Sequence, residues 1–89
     1  MTIRELQIIN KLGLHARAAA KVVHTANEFE SEVFLGADGE EVNAKSILGL
    51  LTLAATQGTP LTLRVEGPDH AEAAAAIEAL FRNCFGEGE

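Results

Sequence analysis

Residues 13 to 17 read Gly13-Leu14-His15-Ala16-Arg17 and place a glycine backbone, an imidazole and a guanidinium within one short stretch. A neutral imidazole is a nucleophile, and histidine is largely neutral above its reference pKa of about 6.5. A guanidinium offers a planar fork of donors that matches phosphate oxygens. Apolar residues at helical spacing begin just after His15, which therefore stands where a helix needs its N-cap. Helices usually start on Ser, Thr, Asp or Asn, whose side-chain oxygen accepts from an orphan backbone N–H. None of these stands at this start. The N–H groups of Ala16 and Arg17, together with the helix dipole, then form an end that accepts an anion. Gly13 permits close backbone approach. The chemistry described is an imidazole that takes up a phosphoryl group beside a phosphate cradle. On these residues alone a plainer reading stays open, with His15 a weak cap or an ordinary surface histidine.

The distribution of charge bears on what meets this site. The chain has 89 residues and a net charge of −6, yet no acid lies between Leu6 and Asn27, where Lys11, Arg17 and Lys21 fall. Val42 to Val65 is again free of acids and holds Lys45 and Arg64. If the two stretches lie together, they make one neutral-to-basic face on an acidic body, suited to phosphate or an acidic partner. The overall acidity and the absence of Trp and Tyr argue against nucleic acid as the main partner. No apolar run approaches the roughly 20 residues of a membrane span, and the start lacks a secretory pattern. With the single Cys84, this leads us to expect a cytoplasmic protein. His15, His24 and Cys84 show no metal-ligand spacing, so neither a metal nor a cofactor is expected. His24 and His70 read as surface residues, and Cys84 as a small core residue.

The elements that must position the site follow from periodicity. Arg4 to Ile9 reads as a strand with Leu6 and Ile8 on one face. A helix over Ala16 to Asn27 buries Ala19, Val22, Val23 and Ala26. Ser31 to Leu35 and Glu40 to Asn43 make a hairpin about Gly36-Ala37-Asp38-Gly39. Ser46 is placed to cap a second helix over Ile47 to Leu53. Leu61 to Glu66 alternates apolar and polar residues as a half-buried strand should. Asp69 and Glu72 have capping-box-like spacing at the head of a last helix that runs through Ile77, Leu80, Phe81 and Cys84 to about Gly86. The order β-α-β-β-α-β-α predicts an α+β fold over residues 1–89 as one domain. Its economical packing is a two-layer open-faced sandwich, a four-stranded antiparallel sheet with three helices on one face.

The block Gly13-Leu14-His15-Ala16-Arg17 closely resembles the active-site motif of the histidine-containing phosphocarrier (HPr) family of the bacterial phosphoenolpyruvate-dependent phosphotransferase system. Asn43-Ala44-Lys45-Ser46-Ile47-Leu48-Gly49-Leu50 looks like that family's second-helix motif, and Thr56-Gln57-Gly58-Thr59 fits as a third. The resemblance spans essentially the whole chain. It implies that His15 is phosphorylated on a ring nitrogen by enzyme I and donates to an EIIA-type acceptor, with Arg17 contacting the phosphoryl group. The protein would then be a covalent carrier rather than an enzyme. The sequence departs from the commonest pattern at Ala18, where many members have proline. Proline presets φ, so its loss is expected to loosen the first turn slightly.

The second helix is apolar on more sides than a small domain can bury. Leu50 and Leu53 are assigned to the core, leaving Ile47, Leu48 and Leu51 as an exposed patch of the kind that marks partner sites. Ala20 and Lys21 on the first helix join them as docking residues. Ser46 has a structural reading as N-cap. The resemblance adds a second, regulatory phosphorylation by a dedicated kinase, with removal by a phosphorylase. A phosphate there would set about −1.5 to −2 charges beside the patch and repel acidic partners. A monomer is expected. Two other classes compete with the carrier. A small acyl- or aryl-phosphate hydrolase needs a group to position water near the cradle, and only Asn10 and Asn43 are at hand. An RNA-binding module would need aromatic strand residues that the chain lacks.

Overall fold

The computed structural model describes residues 1–53 and 55–86. It comprises β1 (Thr2–Gln7), α1 (Ala16–Ala26), β2 (Glu32–Ala37), β3 (Glu40–Asn43), α2 (Ile47–Leu53), β4 (Pro60–Glu66), α3 (His70–Arg82) and a closing 3-10 turn, Cys84–Gly86. The four strands form one antiparallel sheet in the order β1-β4-β2-β3. This is the α+β open-faced sandwich expected from the pattern. Strand β4 sits centrally because its alternation is unbroken, and Leu61, Leu63 and Val65 are all buried. Leu63 lies opposite Leu35, and Val65 opposite Val33 and Thr2. Each buried Leu or Val contributes about 1.5–3 kcal/mol relative to exposure, enough to fix which face of the sheet carries the helices. Helix α1 meets that layer with Ala18, Ala19, Val22 and Ala26. Val23, expected in this stripe, is half-buried. Small side chains let the helix approach closely, and Ala18 is fully enclosed.

The hairpin between β2 and β3 turns on Asp38 and Gly39, both at positive φ (52° and 83°), the conformation of a two-residue turn that Asp-Gly favours. Several expectations are corrected. Strand β1 begins at Thr2 and ends at Gln7 rather than spanning Arg4 to Ile9. Ile8 and Ile9 are instead held by the turn that precedes β4: Ile8 N–H donates to Thr59 O at 3.1 Å, Gly58 N–H to Ile8 O at 2.7 Å, and Gln57 Nε2 to Ile9 O at 3.1 Å. Helix α3 stops at Arg82, short of Gly86. Cys84 and Phe85 both take positive φ (51° and 57°), which folds the chain back. The buried place therefore goes to Phe85, edge-on to Phe81 with ring centroids 4.9 Å apart, and Cys84 is only half-buried, off the helix.

Asp69 does not cap α3 with its side chain. Its carboxylate turns across to the entry of β2, where it accepts from Glu30 N–H at 3.0 Å, Ser31 N–H at 2.9 Å and the Ser31 hydroxyl. His70 is likewise not a plain surface residue, since its Nδ1 lies 2.6 Å from Thr2 Oγ1 on the edge strand. His24 is exposed.

Candidate functional site

His15 is the N-cap residue of α1, with extended backbone (φ −81°, ψ 178°), and its own side chain makes no cap hydrogen bond. The intrahelical ladder begins with Ala19 N–H donating to His15 O at 2.8 Å. The N–H groups of Ala16, Arg17 and Ala18 precede that first bond, and no acid stands in the first turn. The positive end of an 11-residue helix thus opens beside the imidazole. Ala16 and Arg17 are exposed there and His15 is half-buried, so the ring is neither enclosed in the core nor loose in solvent.

The connection that delivers His15 is tightly built. Gly13 has φ +66°, and a Cβ on it would stand 2.5 Å from Ala55 O. Its close approach is thus to the protein's own backbone before α1, clamped by Leu14 N–H donating to Ala55 O at 2.9 Å. The Gly13 carbonyl receives Asn10 Nδ2–H at 2.9 Å and meets His15 Nδ1 at 3.0 Å. A carbonyl oxygen only accepts, so in this rotamer Nδ1 is the donor of that contact.

Asn10 has a role that the sequence does not reveal, where it stands only as an unsupported candidate to position water in a hydrolase. In the fold it is 1% exposed and turned inward to Gly13, with no reach to solvent. The available signal was local: an Asn three residues before a glycine is typical turn chemistry, and Gly13 N–H does donate back to Asn10 O at 3.3 Å. Asn43 is also occupied locally, its Oδ1 accepting Lys45 N–H at 2.8 Å. The Thr56–Thr59 segment, expected as a turn over Gln57 to Pro60, also serves as the splint that pins Ile8 and Ile9 ahead of the His15 loop.

Helix α2 packs beside α1. Ser46 Oγ accepts Gly49 N–H at 3.2 Å, so the serine is an N-cap. Leu50 is fully buried and Leu53 half-buried against the core. Ile47, Leu48 and Leu51 are 41%, 77% and 36% exposed. On α1, Ala20 is exposed and Lys21 half-buried, with Lys21 Nζ donating to Phe85 O at 2.6 Å. The expected basic face is narrower than charge spacing suggested. Arg64 lies on the open face of the sheet, forked onto Glu41 at 2.7 and 3.0 Å and stacked 4.3 Å over the Phe34 ring. Lys45 is tied to Phe29 O at 2.9 Å.

Fold and site together define a small α+β protein that presents a half-buried histidine at the N-cap of its first helix. Comparison with known proteins gives that class its family. A family model described as the PTS HPr component phosphorylation site matches residues 3–83. The phosphocarrier protein HPr of Cupriavidus necator is 52% identical over 89 residues, the full length of both chains. The solved structure of HPr-C-His from Thermoanaerobacter tengcongensis superimposes with a TM-score of 0.94 at 44% identity, covering 98% of each chain. An HPr dimer from the same organism matches with a TM-score of 0.79 at 44% identity, over 98% of this chain and 100% of that one. The chain belongs to the HPr family of phosphocarrier proteins of the phosphotransferase system.

Proposed function

We propose that His15 accepts a phosphoryl group from phospho-enzyme I and passes it to an EIIA-type acceptor. A ring-nitrogen lone pair attacks phosphorus while the bond to the donor breaks, and the same nitrogen later leaves as the acceptor attacks. The N–H groups of Ala16 and Arg17 and the Arg17 guanidinium receive the phosphoryl oxygens. The observation that carries this reading is the N-cap position of His15, whose own side chain makes no cap hydrogen bond to the helix. Donors already oriented there cost little reorganisation when charge arrives. Ile47, Leu48, Leu51, Ala20 and Lys21 form the docking surface for both partners. Ser46, at the edge of that surface, is a site of regulatory phosphorylation by a serine kinase, reversed by a phosphorylase.

On this reading the whole of residues 1–89 works as one carrier unit, a monomeric cytoplasmic protein that is a covalent intermediate and not an enzyme, without metal or cofactor, nucleic-acid partner or membrane insertion. No helix among the described residues is long and apolar enough to cross a membrane. Asn10 is turned inward and the Asn43 Oδ1 is bonded locally, which favours the carrier over a hydrolase.

Incubation with phosphoenolpyruvate and enzyme I tests the proposal. The protein should gain one acid-labile, alkali-stable phosphoryl group, and His15→Ala should abolish it. Steady phosphate release from a small phosphate ester without partners would overturn the carrier reading.

A further inference from the structure

The C-terminal turn runs through left-handed backbone. Cys84, Phe85 and Gly86 take positive φ in succession, at 51°, 57° and 76°, and two of the three are not glycine. Such backbone is costly for a residue with a Cβ and persists where surrounding contacts hold it. Here the Phe85 ring is buried edge-on to Phe81, and Gly86 N–H donates to Asn83 O at 2.9 Å. Carried back by the turn, the Phe85 carbonyl reaches helix α1, where it accepts from Lys21 Nζ at 2.6 Å. Gly86 follows the same path, and a Cβ on it would stand 3.9 Å from that ammonium. Lys21 lies four residues beyond Arg17, so the two share one flank of α1. That flank belongs to the stretch from Leu6 to Asn27, which holds no acid. An ammonium has three donors, so the bond to Phe85 does not exhaust it.

We propose that this turn is a positioning element for docking: through the Phe85 carbonyl it fixes the Lys21 ammonium on the flank of α1 that receives an acidic partner surface. A lysine side chain samples many rotamers in solvent, and ordering it on contact subtracts from affinity. A lysine ordered beforehand by its own fold meets a partner carboxylate without that loss. The turn thus acts on encounter and not on the transfer step at His15. The role of Lys21 in docking rests on the reading given above; its bond to Phe85 does not.

Two measurements on the full chain test this. In nitrogen-15 NMR of the labelled protein, a coupling across the hydrogen bond should link Lys21 Nζ to the Phe85 carbonyl carbon. Gly86→Pro cannot keep a φ of +76° and restricts Phe85 to extended backbone. That coupling should then vanish, while the one from Lys45 Nζ to the Phe29 carbonyl remains. In phosphoryl transfer from enzyme I, Lys21→Met and Gly86→Pro should each raise KM about fivefold with kcat kept. The double variant should be no worse than Lys21→Met alone. A wild-type spectrum without the Lys21 coupling would sink the proposal whatever the variants do. Effects that add in the double variant would also sink it, since the turn would then act apart from Lys21. So would an unchanged KM in Lys21→Met alongside normal phosphorylation of His15. No phosphoryl uptake by the wild type at all would overturn the carrier reading and the docking role together.

Discussion

At the residue scale the site depends on a glycine as much as on the histidine. Gly13 combines a φ of +66° with a position where any Cβ would lie 2.5 Å from Ala55 O and 3.0 Å from the Thr56 Cα. Neither atom is a flexible side-chain end, so the neighbours cannot simply move aside. Gly13→Ala should therefore lower stability by more than about 1 kcal/mol, the scale for alanine forced to positive φ. It should also slow phosphoryl uptake, because the displaced carbonyl is the one that His15 and Asn10 share. Urea midpoints and initial rates of uptake measured on the same preparations check both halves. A loss of stability with an unchanged rate would mean that the ring does not depend on this loop. The glycine and histidine were legible in the sequence because their types carry chemistry. Asn10 was not, since an asparagine buried to hold a turn looks, in a sequence, like one poised for solvent.

At the element scale, α2 combines a cap that stabilises with an apolar face left exposed among the described residues. Ser46→Ala removes the bond to Gly49 N–H and should cost about 1 kcal/mol. Leu48 is 77% exposed and Leu51 36%, so Leu48→Asp should alter stability by less than about 0.5 kcal/mol. If the proposed docking surface is real, the same change should slow phosphoryl transfer from enzyme I at least about fivefold, the effect of losing an interface contact worth 1 kcal/mol. Thermal melts together with transfer kinetics separate the two residues. A Leu48 variant that transfers at the wild-type rate would remove this face from the encounter. The division of α2 into Leu50 inside and Ile47, Leu48 and Leu51 outside followed from a simple excess of apolar residues over available core. The element ends were harder to read. β1 and the end of α3 shifted because long-range pairing with β4 and the backward fold at Cys84 and Phe85 outweigh local periodicity.

At the scale of the whole molecule, the head of α3 is tied to the entry of β2 by a carboxylate that the capping pattern misassigned. Asp69 at the head of α3 binds Glu30 and Ser31 at the entry to β2, and Gly67 lets the chains approach so closely that a Cβ there would sit 2.6 Å from the Ser31 Cα. The Ser31 hydroxyl above all, with the backbone N–H groups of Glu30 and Ser31, holds the Asp69 carboxyl below its ordinary value of 3.8. A carboxyl depressed by folding stabilises the protein above its unfolded pKa, and that stabilisation is lost as pH falls through the lower, folded value. The urea midpoint should therefore drop as pH is taken from about 5 toward about 2. Glu41, lowered by its hydrogen bonds to Arg64, titrates over the same acid range on the open face of the sheet. Salt distinguishes them: an exposed ion pair is screened, whereas hydrogen bonds from neutral donors are not. In about 1 M salt, where the Debye length is about 3 Å, the acid dependence that remains should belong to Asp69. Asp69→Asn should flatten it, and Glu41→Gln should leave it in place. If Glu41→Gln removes it instead, the two layers are not held together at acid pH by the Asp69 bridge.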